Sequence, residues 1–217
     1  MSFLTRDRGF GNFWDHKSHS NRVVFLFLIL FCLFLVVDDK KQNDMRIAIL
    51  GAHLVGKTTL AEKLYESFPE CEFYPEPYFE LQEMGFAFSE MPTADDYMMQ
   101  LEHSLKQIVR SNRNAIFDRS PIDLLAYALA VDNKLNFSSV FTKIQNAIKE
   151  IDIFVWVPIE EPDRISCSDS NLPELRYEVN DLLGELIDDF EIEVIRVKGS
   201  LSERLNQIQN KIEELKG

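Results

Sequence analysis

The chain has 217 residues, with 23 lysines and arginines against 36 aspartates and glutamates, a formal charge of −13 at pH 7, and 46% hydrophobic residues. That length accommodates one domain with a sizeable core plus an extension, and the acidity excludes a general nucleic-acid binder, which needs a basic face. It does not exclude an enzyme of small phosphate compounds, because a few local cations and a divalent metal ion suffice for such a site.

The first 44 residues are nearly balanced in charge and carry "VVFLFLILFCLFLVV" at 23–37, flanked by Lys17 and Arg22 before it and by "DDKK" after it. As a helix these fifteen residues would span about 22 Å, short of the roughly 30 Å hydrocarbon core. Two readings stand: a short membrane anchor on the cytoplasmic face, or a mis-called start upstream of Met45. A secretory signal fits less well, because no small-x-small cleavage site follows. A membrane is therefore a partner only if 23–37 is expressed. The three cysteines, Cys32, Cys71 and Cys167, have neither paired nor metal-ligand spacing, which makes a reducing cytoplasm the expected compartment.

Residues 45–217 read as one α/β domain. Arg46–Leu50 is a short apolar run that stops at Gly51, as a strand covered on both faces does. Next comes "GAHLVGKTT", with the spacing Gly51-x4-Gly56-Lys57-Thr58 of a phosphate-binding loop. The two glycines permit positive φ and let the amides of Gly51, Ala52, His53, Leu54, Val55, Gly56, Lys57, Thr58 and Thr59 approach an anion. Lys57 supplies a mobile charge for β and γ phosphates. The Thr58 hydroxyl is placed to ligate Mg²⁺, and the helix that follows adds the positive end of its dipole. Leu60, Leu64 and Phe68 form the buried stripe of that helix, which Pro69 ends.

Glu72–Tyr74 is a second short strand. After it, Glu76 lies between Pro75 and Pro77, and the following proline fixes the direction of its side chain. A carboxylate there can orient or deprotonate an acceptor hydroxyl; the plain alternative is an acidic loop. Helices are expected over Tyr78–Phe88 and Thr93–Asn112, the latter capped by Thr93 with Asp95 and Asp96 in its first turn. Ala94, Met98, Leu101, Leu105, Ile108 and Val109 give its apolar face. Tyr97, Gln100, His103, Gln107 and Arg110 form a second stripe, which is either the solvated side or the lining of an acceptor pocket that includes Gln100. His103 alone makes no metal site.

Asn114–Phe117 is the third strand, ending at Asp118. "SPID" explains the next helix start, with Ser120 as cap, Pro121 at the first position and Asp123 closing a capping box. Asp118 and Arg119 are left over. The aspartate is expected to hold Mg²⁺ directly or through water; Arg119 is either a phosphate or substrate contact or a solvated charge.

Helices at Pro121–Val131 and Phe137–Lys149 lead to a fourth strand at Ile151–Val157. "PIEEPDRISCSDSNLP" is a polar, proline-punctuated loop or lid. Arg164 and Arg176 flank part of it, and each is either a guanidinium that closes over a transferring phosphoryl group or half of a surface ion pair. Leu175 to Leu186 marks a helix, Glu191–Val197 a fifth strand, and Ser200-x-x-Glu203 the capping box of the last helix. There is no internal repeat. The expected fold is a doubly wound, five-stranded parallel sheet, with ligands at the carboxyl ends of the strands.

"GAHLVGKTT", the glutamate of "YPEPY", the helix before "IFDRSPIDLLAYA", the arginine loop leading to "RYEVNDLL" and the terminal "VKGSLSERL" together resemble the NadR-type P-loop domains. That AAA-like group is typified by a ribosylnicotinamide kinase domain and is related to deoxynucleoside kinases. The resemblance runs from about Met45 to Lys216. It implies ATP with Mg²⁺, a nucleoside-like small-molecule hydroxyl as acceptor, Glu76 as the acceptor-side acid and Asp118 as the strand-end aspartate. In the related kinases a glutamate commonly stands where Asp118 does, and no residue matches one that selects a base.

The leading expectation is therefore a small-molecule kinase with Lys57, Glu76, Asp118 and Arg164 as its catalytic residues. The other is a regulatory nucleotide-binding module that hydrolyses slowly or not at all and is membrane-tethered if 23–37 is real. A small GTPase is a poor version of this module, since "DRSP" is not D-x-x-G and "NKLN" lacks the aspartate that reads guanine. A ring-forming ATPase lacks room for its extra helical domain.

Overall fold

The computed structural model describes residues 44–163, 168 and 172–216. The apolar segment 23–37, Cys32, Cys167 and Arg164 lie outside the described residues. Every described element belongs to the unit Asp44–Gly217. In chain order these are β1 (Arg46–Leu50), α1 (Lys57–Ser67), β2 (Glu72–Tyr74), α2 (Pro77–Glu83), α3 (Ala94–Arg110), β3 (Ala115–Asp118), α4 (Pro121–Val131), α5 (Ser138–Ile148), β4 (Ile153–Trp156), α6 (Pro173–Asp189), β5 (Val194–Arg196) and α7 (Leu201–Lys216).

The strands form one sheet in the order β2-β3-β1-β4-β5, every pair parallel. The three central strands are buried on both faces, which is why they read as unbroken apolar runs rather than alternating ones. The edge strands β2 and β5 are three residues long and only partly buried, as edges safe from further pairing are. At the entry side of the sheet, Arg46 ties the strands together. Its amide bonds Asp152 at 2.8 Å, and its guanidinium bonds the carbonyls of Asn112 and Ser111 and the Glu150 carboxylate.

Parallel strands need right-handed crossovers. The connection from β1 runs over β3 to β2, whereas the one from β3 runs back over β1 to β4, so α1 and α4 leave their neighbouring strands onto opposite faces. α7 packs against α1, while α4 packs against α3 and α6. A crevice therefore opens between the carboxyl ends of β1 and β3, where the strand order reverses. The glycine loop and the pair Asp118–Arg119 meet at that crevice.

Two helices differ from expectation. α2 ends at Glu83 rather than Phe88, because Gly85 at φ 92 closes a Schellman motif: the amide of Gly85 bonds the Gln82 carbonyl at 2.9 Å, and that of Phe86 bonds Leu81 at 3.0 Å. On α3, Val109 is 84% exposed although it was expected on the apolar face, whereas Tyr97, Gln100, His103 and Gln107 are buried. That stripe is thus not a solvated side. α2 covers part of it, through Glu80 on His103 at 2.6 Å, while Gln107 bonds the carbonyl of Pro75 at 3.3 Å. The Thr93 capping box is present, reciprocated by Asp96.

Candidate active site

The loop after β1 has the conformation its glycines allow. Gly51 sits at φ 153 and Gly56 at φ 86, and Leu54 also takes a left-handed φ of 54. A Cβ on Gly51 would stand 2.4 Å from the carbonyl oxygen of Val157, so only glycine fits where the loop passes β4. Gly56 is the N-cap of α1, with no side-chain cap of its own. That leaves the first-turn amides, those of Thr58 and Thr59 among them, without side-chain partners at the positive end of the helix.

Lys57 is buried and donates to the carbonyl of Ala52 at 2.7 Å. Burial, reinforced by the nearby Arg119, lowers its pKa to about 8, against opposing pulls from Asp123, Glu76 and Asp118. Three acids and a second cation thus face one ammonium across the crevice.

Asp118 ends β3 beside β1, its Cα in register with Ile49. Burial raises its pKa, opposed by the nearby Thr58 hydroxyl and Lys57 ammonium; Thr58 lies at the open start of α1. Its Oδ1 is buried and has no hydrogen-bond partner. A hydroxyl and a carboxylate with one unshared, dehydrated oxygen are the hard donors a divalent cation such as Mg²⁺ takes. Among the described residues no group of three His, Cys, Asp or Glu is placed to hold a metal ion. The fit is therefore to an ion that draws its remaining ligands from water and phosphate, as Mg²⁺ does.

Glu76 and Arg119 meet at the mouths of β2 and β3. The Arg119 Nε donates to Glu76, and its Nη1 donates to Asp123 at 3.2 Å. The guanidinium also lies 5.0 Å from the centroid of the Tyr127 ring, a cation–π contact. Burial pushes the Glu76 carboxyl up, but Arg119 and Lys57 outweigh it and hold it below the ordinary carboxylate value. Burial alone would lower the Arg119 pKa; Glu76, Tyr127 and Asp123 raise it well above the usual arginine value. Arg119 is buried and thus not a solvated charge, and its φ of 121 is one that side-chain-bearing residues rarely adopt. Asp123 does double duty: it accepts the amide of Ser120 at 2.7 Å, closing the expected capping box, and it holds Arg119.

Tyr97 of α3 stacks on Tyr127 of α4, centroids 4.9 Å apart, and Tyr127 shares a 2.9 Å hydrogen bond with His53 Nδ1. Burial raises the pKa of both tyrosines. The wall between α3 and α4 next to Glu76 is therefore aromatic and neutral. Gln100, one turn after Tyr97, is buried and bonds the Asp96 carbonyl at 3.3 Å.

Arg176 stands elsewhere than on a flap. Pro173 starts α6 three residues before it, which puts Arg176 in the first turn, 1% exposed, with Nε on the carbonyl of His53 at 2.9 Å, Nη2 on that of Leu54 at 3.2 Å and a bidentate pair to Asp163. Arg204 of α7 adds a partner that sequence reasoning missed. Its Nη1 donates to the carbonyl of Val55 at 2.7 Å and its Nη2 to Glu160 at 2.7 Å. Both arginines occupy apolar-stripe positions, Arg176 with Val179 and Leu183, Arg204 with Ile208 and Ile212. A cation on a buried stripe was the signal available.

A family model described as an AAA domain matches residues 46–204. No curated protein matches the sequence. Among solved structures the chain is similar to the NadR protein in complex with NAD and AMP-PNP, at 18% identity and a TM-score of 0.61, over 78% of this chain and 50% of that one. It is also similar to deoxyadenosine kinase from M. mycoides, at 17% identity and 0.56, over 79% and 100%, and to thymidylate kinase from Candida albicans, at 16% identity and 0.57, over 80% and 93%. The chain spans about half the length of the NadR structures. These likenesses give the fold, that of P-loop kinases of nucleosides and nucleotides.

Proposed function

The chain belongs to the AAA domain family, and from that footing we propose that it is an ATP-dependent kinase that moves a γ-phosphoryl group to the hydroxyl of a nucleoside-like small molecule. The observation that carries this reading is the buried, unpartnered Oδ1 of Asp118 at the end of β3, beside the strand whose glycine loop leads into Lys57 and Thr58.

In this reading the loop amides from Gly51 to Thr59 and the Lys57 ammonium bind the phosphates. Polyphosphate displaces the Ala52 carbonyl from Lys57 and stabilises the charged ammonium. Thr58 and Asp118 hold Mg²⁺, which, when bound, neutralises charge on the β and γ oxygens. Glu76 accepts a hydrogen bond from the acceptor hydroxyl and aims its oxygen at phosphorus. Phosphoryl transfer has little need of a strong base, so an ionised carboxylate that orients the nucleophile is sufficient. Arg119 keeps that carboxylate ionised and in place. Tyr97 and Tyr127 offer a neutral aromatic wall to a flat base, with Arg119 over the Tyr127 ring and Gln100 one turn after Tyr97 as polar groups for it. Arg164 remains proposed as the group that closes over the transferring phosphoryl.

The test is to incubate the purified chain with ATP, Mg²⁺ and a panel of nucleosides and to weigh the products. An acceptor heavier by one phosphoryl group supports the kinase; stoichiometric ATP binding with no phosphorylated acceptor supports the regulatory module instead.

A further inference from the structure

We infer that Arg176 and Arg204 are positioning residues for the phosphate loop: from behind it they hold the carbonyls of His53, Leu54 and Val55, which turns the amides of Leu54, Val55 and Gly56 toward the anion. The inference rests on the phosphate-binding reading above and adds to it where the loop's shape comes from.

A trans peptide points its C=O and its N–H in opposite directions. Three consecutive carbonyls are fixed by guanidinium donors, at 2.9 Å, 3.2 Å and 2.7 Å. The three N–H groups of those same peptides therefore all point the other way, which is the concave array an oxyanion needs. One guanidinium holds both peptides that flank Leu54, the residue whose left-handed φ of 54 an L side chain disfavours. Each guanidinium is itself anchored, Arg176 by Asp163 and Arg204 by Glu160. Glu160 also accepts the amide of Gly199 at 2.9 Å, so the loop before α7, the loop after β4 and the phosphate loop are pinned at one point. What the braces supply is a rigid fork, which an ammonium cannot reproduce.

Calorimetry with sodium tripolyphosphate tests this without reference to any acceptor. Arg204→Met and Arg204→Lys are expected to lose roughly tenfold to a hundredfold in affinity, the weight of a charged hydrogen bond. Val179→Ala, a core truncation in α6, is expected to lower the melting temperature and leave that affinity unchanged. Arg204→Lys decides if the methionine variant does not fold. In the unaltered chain, the amide resonances of Leu54, Val55 and Gly56 are expected to show the largest shifts on adding tripolyphosphate. If the unaltered chain gives no heat, the phosphate-binding reading falls and the inference with it. If it binds and Arg204→Lys binds within about twofold of it, or if those three amides stay still, the inference alone is overturned.

Discussion

Arg119, the residue after β3, donates its Nε to the carboxylate of Glu76, which follows β2, so the proposed acceptor-side acid is held by a cation before any substrate arrives. A carboxylate kept below its ordinary pKa is a poor proton sink but stays ionised and able to accept a hydrogen bond. Glu76 is therefore assigned to orientation. Glu76→Gln should lower the transfer rate about a hundredfold, within the range for general acid–base and orienting groups, while ATP affinity changes less than about threefold. Single-turnover kinetics beside calorimetry separates the two, and equal losses in both would refute the assignment.

Arg119 fixes where Glu76 titrates. With the guanidinium removed in Arg119→Met, burial is left to act on two neighbouring carboxyls, and the pKa of Glu76 rises. The acid limb of the pH–rate profile should then move to higher pH, with a smaller move for Arg119→Lys. Because one partner of a buried pair is lost, Arg119→Met should also cost about 3–5 kcal/mol, read from denaturant midpoints.

Lys57 gives ligand binding an alkaline limit. In the ligand-free protein it loses its proton near pH 8, whereas in the unfolded chain it keeps it to about 10.5. Above pH 8 the unfolded state binds more protons, so stability contributed at this site rises between about pH 8 and 10.5. Phosphate binding needs the charged form. ATP affinity should fall as pH rises through 8, and binding at pH 8.5 should take up a fraction of a proton, seen as a buffer-dependent enthalpy. Lys57→Ala should remove both the proton uptake and turnover.

Asp118→Asn keeps the shape of the side chain and removes its charge. It should cost roughly a hundredfold or more in turnover, the scale for deleting one preorganised electrostatic group. ATP affinity in the variant should become insensitive to Mg²⁺ and to its removal by a chelator. Undiminished Mg²⁺ enhancement would mean that the unpartnered Oδ1 is no metal ligand.

Gly51→Ala places a methyl against the Val157 carbonyl, a backbone atom that cannot turn aside. The chain should lose about 1–3 kcal/mol, the usual cost of overpacking, and nucleotide affinity should fall in parallel. Thermal melts with and without ATP check both.

The fold was legible because its signals are local. Apolar runs that end at Gly51 and Asp118, proline and serine at helix starts, and the 3.6-residue stripes each report on a few consecutive residues, and five parallel strands with intervening helices admit few topologies. The phosphate loop was legible for the same reason: its spacing is a demand of backbone geometry within one segment. Where a local signal was misjudged, as with Gly85 ending α2, the structure moved a boundary and left the topology intact.

The partners of charged residues were not legible, because they depend on contacts between distant segments. Nothing near Arg119 announces Glu76, 43 residues earlier, and nothing near Arg176 or Arg204 announces the carbonyls of His53, Leu54 and Val55. The polar stripe of α3 reads more readily as a wet face until α2 and α4 are packed on it. The sequence by itself determined which backbone segments curl and which side chains are ionic, since those follow from each residue's own steric and ionic character. Only the tertiary structure decided which charges neutralise one another and which oxygen is left unpartnered, because burial and Coulomb energy belong to neighbours in space.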